Sequence, residues 1–215
     1  MFAYHAVRFK LLDADQCRYP QGQRPRYSRE QIIMPEHSFM KAAALAGRRA
    51  DLEGDTPPRF PARNVDLVKE RISALFRRES IDRLVCAAAC GADLVALDVA
   101  ENMGIPALIV LPFSRATFRR VSVIDRPGNW GGLYDRLVDA AARRADLITL
   151  GLAEDDETAF TVGNARIISE ARRAAEQRLA VAVWEGSSRG EGDATAELLT
   201  AGQQQGFQTA SVSTL

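Results

Sequence analysis

From Phe39 onward, short runs of consecutive apolar residues alternate with stretches of helical period, and most of the runs stop at glycine or proline. The runs cover residues 40–46, 82–88, 105–111, 146–150 and 179–184, and the less apolar 207–212 is expected to add a last strand. Strands that are apolar along their whole length are buried on both faces, unlike the alternating strands of a half-exposed sheet. Between them, residues 64–79 carry Val65, Val68, Ile72, Leu75 and Phe76 on one helical face, and 94–103, 133–144 and 194–205 are also helical. A chain that alternates in this way folds as α/β, with an open, mainly parallel sheet and helices on both sides, a three-layer αβα sandwich.

The remaining segments are less regular. Residues 51–61 read as a proline-containing loop, and 113–130 as irregular. Residues 155–178 read as one long helical stretch that opens on acids, as a helix N-terminus favours. Residues 1–38 differ in texture and are expected to form an N-terminal arm, with an edge strand in 1–12 and a polar loop in 13–28. The arm and the exposed sheet edges leave room for a homodimer. The regular domain is then 39–215.

Composition excludes some function classes. Lys plus Arg and Asp plus Glu number 28 each, so the 215-residue chain is neutral, and only Lys10, Lys41 and Lys69 are lysines. Broad electrostatic binding to nucleic acid or to an anionic membrane is therefore not expected. No apolar run approaches the roughly 20 residues of a membrane helix. Cys17, Cys86 and Cys90 lack the spacing of a zinc site, so no metal and no cofactor is expected. An odd cysteine count without a signal peptide argues for reduced thiols and a cytoplasmic setting. His5 and His37 have no partner in the sequence and receive no catalytic role.

Ligands of open parallel sheets sit at the carboxyl ends of the strands, near the point where the strand order reverses. The residues at those ends are the candidates. Trp184 ends a buried run and is followed by Glu185-Gly186-Ser187-Ser188-Arg189-Gly190-Glu191-Gly192-Asp193 and then a helix, with Asp193 placed to cap it. Gly186, Ser187, Ser188, Gly190, Gly192 and Thr195 supply the small side chains, backbone N–H groups and hydroxyls of a phosphate cradle. They are equally the parts of an ordinary strand-to-helix loop. Gly47 and Arg48 end the first run. Gly91 and Asp93 end the second, where Asp93 either meets a ribose or starts a helix. One or two of Arg48, Arg115, Arg119, Arg120 and Ser122 are expected to face the ligand. Trp130 and Trp184 serve either the core or a stacked base.

Three stretches, in order, resemble one superfamily. Cys86-Ala87-Ala88-Ala89-Cys90-Gly91-Ala92-Asp93 resembles the small-residue turn and Gly-x-Asp of the DprA/Smf and Lonely Guy superfamily (SLOG). Gly163-Asn164-Ala165-Arg166-Ile167-Ile168 resembles its Arg-Asn-Arg-Ile-Ile element, and Gly192-Asp193-Ala194-Thr195-Ala196-Glu197 its Gly-Gly-x-Gly-Thr-x-x-Glu loop. The likeness covers about residues 39–213. It implies a Rossmann-like domain that binds a nucleotide or nucleotide-derived ligand, as a sensor or regulatory domain. It implies two alternatives. One is an N-glycosidase acting on nucleoside monophosphates, with Glu197 and Arg166 as catalytic residues and Asn164 in the binding site. The other is a single-stranded-DNA-binding module, which the neutral charge disfavours. The chain departs from the enzymes in the inserted Arg189 and Glu191 and in the one-position shift of Thr195 and Glu197.

Overall fold

The computed structural model describes residues 39–215. The expected arm, 1–38, with its edge strand, its polar loop, Cys17 and both histidines, lies outside the described residues. Six strands form one sheet: β1 (Phe39–Gly47), β2 (Arg83–Cys86), β3 (Ala107–Leu111), β4 (Leu147–Thr149), β5 (Ala175–Trp184) and β6 (Gln208–Ser213). The helices are α1 (Val65–Arg78), α2 (Ala92–Met103), α3 (Arg115–Ser122), α4 (Trp130–Arg143), α5 (Ala159–Ala174) and α6 (Ala194–Gln204). Every strand pairing is parallel, in the spatial order β4-β3-β2-β1-β5-β6. The chain steps outward from β1 to β4 and returns through α5 to β5, which lies on the other side of β1. The loops after β1 and β5 therefore lead away in opposite directions, and the switch point lies between these two strands.

The core explains why the strands read as continuous apolar runs. Ala43 and Leu45 of β1 pack with Val68, Ile72 and Phe76 of α1, Leu94 of α2 and Val138 of α4 on one face. Ala42 and Ala44 pack with Ile167 and Ile168 of α5 and Leu198 of α6 on the other. Small residues on this inner strand let both helical layers come close. Gly202 on α6 extends the same logic, because a Cβ there would lie 2.6 Å from Ala180 Cβ on β5. Gly104 ends α2 in the left-handed region at φ 70, where a side chain would be strained.

Two local expectations are corrected. Residues 113–130 are not irregular throughout, because they contain α3. Ser114 Oγ accepts from the Thr117 N–H at 3.1 Å and caps the helix. Only Phe118 and Ser122, one turn apart, are buried in it, so the segment shows too little apolar period to be read as a helix. The long helix over 155–178 is shorter than expected. It ends at Ala174, and β5 begins at Ala175. The early residues of β5 pair with the start of β1, Ala175 opposite Phe39 and Gln177 opposite Lys41. Glu176 and Gln177 are exposed there, and their polarity disguised the strand.

Among the described residues, no helix is long and apolar enough to cross a membrane. None of their His, Cys, Asp and Glu side chains gather in a group of three or more that would hold a metal.

Candidate functional site

A cavity of about 570 Å³ opens over the carboxyl ends of β1, β2 and β5, at the switch point. Its base is Gly47, Ala87, Ala89 and Asp93. Phe160, Asn164 and Ile167 of α5 form one side, and Gly192, Ala194 and Thr195 at the start of α6 extend it. Arg49, the loop with Asp51, Asp55 and Arg59, and Arg126 line the remainder, with Phe118 and Ser122 of α3.

Gly47 is where β1 runs closest to its neighbours. A Cβ there would collide with Ala92 Cβ and lie 2.6 Å from the Val183 carbonyl oxygen. Gly91 has φ +92, and a Cβ on it would lie 2.6 Å from both the Ala50 nitrogen and the Arg48 oxygen. These two glycines bring the ends of β1 and β2 and the start of α2 together. Gly47 lines the cavity; Gly91 lies beneath it, outside the lining.

Arg48 is 3% exposed and is a strut. Its Nε donates to Glu185 Oε2 at 2.5 Å, Nη1 to Asp193 Oδ1 at 2.7 Å and Nη2 to the Ser187 carbonyl at 2.6 Å. Its guanidinium also lies 5.6 Å from the centroid of the Trp184 ring. The loop after β5 is thus tied to the end of β1 by one buried side chain. Asp193 caps α6 as expected, with Oδ1 accepting from Thr195 N–H at 3.1 Å and Ala196 N–H at 3.4 Å. Its Oδ2 accepts from Arg189 N–H at 2.7 Å. Burial by itself would raise this carboxyl, but the bonds from Arg48 and the backbone hold it down at about 2.

The glycine loop itself turns outward. Gly186 and Gly190 have φ +102 and +97, and no atom lies within 4 Å of where a Cβ would stand. Ser188 Oγ accepts from Gly190 N–H at 3.1 Å, within the loop. Of this stretch, Arg189, Gly192, Ala194 and Thr195 line the cavity, whereas Gly186, Ser187, Ser188 and Gly190 do not.

Asn164 joins the two helices of this side, its Nδ2 donating to the Ala194 carbonyl at 2.8 Å. Glu197 and Arg166 do not line the cavity. Glu197 Oε2 accepts from Thr161 Oγ1 at 3.0 Å, and Arg166 Nε donates to Glu170 Oε1 at 2.6 Å, one turn along α5. Arg115, Arg119 and Arg120 pair with Asp139, Asp135 and Glu154 respectively, away from the lining. Trp130 is buried with its Nε1 donating to the Pro127 carbonyl, and Trp184 Nε1 donates to Ser211 Oγ. Neither ring reaches the cavity. Both described cysteines are buried, and burial pushes their thiols up, Cys86 the more strongly, so neither is a poised nucleophile.

Asp93 is the most perturbed group in the cavity. It is 6% exposed; Oδ2 accepts from Ala89 N–H at 3.2 Å, and Oδ1 has no partner. Burial pushes its carboxyl up to about 7, against the opposing pull of the Ala89 amide, the nearby Arg49 charge and the Gly47 amide. Arg49 and Arg126 are lining residues that sequence reasoning missed. Both sit in loops at the carboxyl edge of the sheet, which is the one signal that pointed to them. Arg49 Nη2 donates to Asp125 Oδ2, and Arg126 Nε lies 3.8 Å from the same oxygen. Phe160 was missed too. It is 47% exposed and meets Phe113 edge-on with centroids 5.6 Å apart. An exposed aromatic ring at a cavity wall offers a flat stacking surface.

No protein-family model matches the chain, and no curated protein matches it. Among solved structures it is similar to the DNA processing protein A (DprA) of Streptococcus pneumoniae, with 15% identity and a TM-score of 0.39. The match covers 81% of this chain and 59% of that one, so the chain spans less than two thirds of that protein's length.

Proposed function

We propose that this chain binds a nucleotide or a nucleotide-derived ligand at the carboxyl edge of its sheet, as a sensor or regulatory domain. The observation that carries the reading is the cavity over the β1–β5 switch point, whose lining includes Asp93, a buried carboxyl with one oxygen that no group of the chain bonds. A volume of about 570 Å³ lies within the range of small-molecule sites. The lining chemistry also suits such a ligand. Phe160 offers a face for a base, Asp93 an acceptor for a hydroxyl or amino group, and Arg49, Arg59, Arg126 and Arg189 offer positive charge for a phosphate. Titration calorimetry against nucleoside monophosphates, ADP-ribose and cyclic nucleotides tests it. Saturable binding of at least one of them is expected, and weakened binding in a Phe160→Ala variant would assign it to this cavity. No heat from any of them would refute the reading.

A second reading, hydrolysis of an N-glycosidic bond, is favoured by the same carboxyl. A group that titrates at about 7 in a recess is suited to hold or deliver a proton near neutral pH. In this reading Asp93 takes the role that Glu197 holds in the expectation drawn from the sequence. Release of free base from a nucleoside monophosphate, lost in Asp93→Asn and retained in Glu197→Gln, is the expected result. The absence of base release by the unaltered chain would remove the enzymatic reading and leave the binding one standing.

A further inference from the structure

We propose that the anionic end of the ligand, a phosphomonoester, seats against Arg126 and Arg49 rather than in the glycine loop after β5, while a hydroxyl or amino donor of the same ligand meets Asp93. This rests on the binding function proposed above and assigns its anion subsite. The first observation is where unmet hydrogen-bonding capacity collects. Among the described residues, the buried side-chain polar atoms without a partner are Arg49 Nε, Arg83 Nε, Asp93 Oδ1 and Arg126 Nε. Three of those four belong to residues that line the one cavity. Buried polar atoms are nearly always satisfied, so unmet bonding capacity gathered among residues that line one cavity points to a partner from outside the chain.

The orphans also match in kind. Two are cationic donors and one is an anionic acceptor. Arg49 and Arg126 converge on a single carboxylate oxygen, Asp125 Oδ2. Arg126 is poorly served there: its contacts to Asp55 and Asp125 are both 3.8 Å, too long for hydrogen bonds. A phosphate brings three acceptor oxygens and up to two charges to a place where two guanidinium groups share one carboxylate.

The glycine loop, by contrast, is already occupied by the chain's own groups. The N-terminus of α6 holds the Asp193 carboxylate, which accepts from the Thr195, Ala196 and Arg189 amides. That carboxylate is buried and stays charged. A phosphate brought to the same amides would displace it or stand beside it against like-charge repulsion. Arg48, buried against this loop, spends its donors on Glu185, Asp193 and Ser187, and Arg189 within the loop has its Nε 3.7 Å from Asp193 Oδ2.

The test uses the full chain and four probes: inorganic phosphate, ribose 5-phosphate, AMP and adenosine, each followed by calorimetry. The comparison of ribose 5-phosphate with AMP separates a sugar phosphate from a nucleotide. Arg126→Gln is expected to weaken the phosphate-bearing probes about tenfold or more, the effect of losing a charge-assisted bond, and to leave adenosine unchanged. Ser187→Ala and Ser188→Ala are expected to leave all four unchanged. Asp125→Asn, which removes the resident carboxylate, is expected to tighten the phosphate-bearing probes. It carries the test by itself should Arg126→Gln fail to fold. Equal affinity for AMP in the unaltered chain and Arg126→Gln, loss of phosphate binding in the serine variants, or unchanged affinity in Asp125→Asn would each overturn the subsite. Binding of no probe by the unaltered chain would overturn the nucleotide reading itself.

Discussion

Replacing Asp93 by Asn should stabilise the protein, and only at a pH where the carboxyl ionises. The side chain is 6% exposed, its Oδ2 is satisfied by the Ala89 amide at 3.2 Å, and its Oδ1 is buried without a hydrogen-bond partner. Burial raises its pKa from the ordinary 3.8 to about 7. A carboxyl raised in the folded state binds its proton more tightly there than in the unfolded chain. Its favourable contribution is therefore complete below about pH 4 and is lost as pH rises through about 7. At roughly 1.4 kcal/mol per unit, the charged form burdens the fold by on the order of 4 kcal/mol at about pH 8, and by less than about 1 kcal/mol at about pH 4. Asn keeps the acceptor for the Ala89 amide and never ionises, but it buries an NH2 in place of Oδ1, a pH-independent cost, so the comparison that matters is between the two pH values. Urea unfolding of both proteins at these two pH values measures the difference. The expected result is a gain for Asp93→Asn of several kcal/mol at the higher pH relative to the lower. An equal effect at both, or a relative loss at the higher pH, would mean that the carboxylate is solvated or paired. The reasoning that makes Asp93 a waiting acceptor would then fail.

Arg48→Ala removes three hydrogen bonds and leaves Asp193 and Glu185 with only the more distant Arg189 and Arg59, so thermal unfolding should reveal a loss of about 3 kcal/mol. The same variant should be less resistant to acid. Asp193, held at about 2 beside Arg48, contributes stability that is present above about pH 4 and lost as pH falls toward 2; without Arg48 an acid titration should unfold the chain at a higher pH. Gly47→Ala should destabilise by about 1–3 kcal/mol or more in urea, since its Cβ meets Ala92 and the Val183 carbonyl. Gly186→Ala, with φ +102 but open space around it, should show backbone strain of about 1–2 kcal/mol. Glu197→Gln and Arg166→Gln should leave the affinity for any ligand of the cavity within about twofold in calorimetry, because neither side chain lines it.

The parallel sheet was legible because its signal is local. Each of Ala107 to Leu111 is buried, so β3 reads as an unbroken apolar run with a proline behind it. The same is true of 179–183 in β5, and the Asp193 cap could be read from its place before an apolar helix. What escaped was structure whose sequence is polar for a local reason. The first residues of β5 pair with the start of β1 while Glu176 and Gln177 stay exposed, and α3 buries only Phe118 and Ser122. In both, a geometric pairing or a single serine cap decided the element, and hydrophobic period carried no information about either.

The site divides along a similar line. Of the small residues named at strand ends, Gly47, Gly192 and Thr195 line the cavity, whereas Gly91, Gly186, Ser187, Ser188 and Gly190 do not; Asp93 and Asn164 line it as well. Charged residues do not announce which partner they will find. Arg48 lines the cavity but meets Asp193 across 145 positions of chain, and that pairing takes up a donor which the sequence could not show to be engaged. Arg166 is neutralised one helical turn away by Glu170. Arg126 and Arg49 differ from these only in being left with an unpartnered nitrogen, a property of the folded chain as a whole. With arginines this numerous and acids equal in number to the basic residues, identity and spacing select none of them. Whether an arginine waits for a ligand depends on which carboxylates the fold has already brought to it. In the loop whose glycines first suggested a cradle, Arg48 and Asp193 bond to one another, to the Ser187 carbonyl and to the first amides of α6, an engagement that only the folded chain reveals.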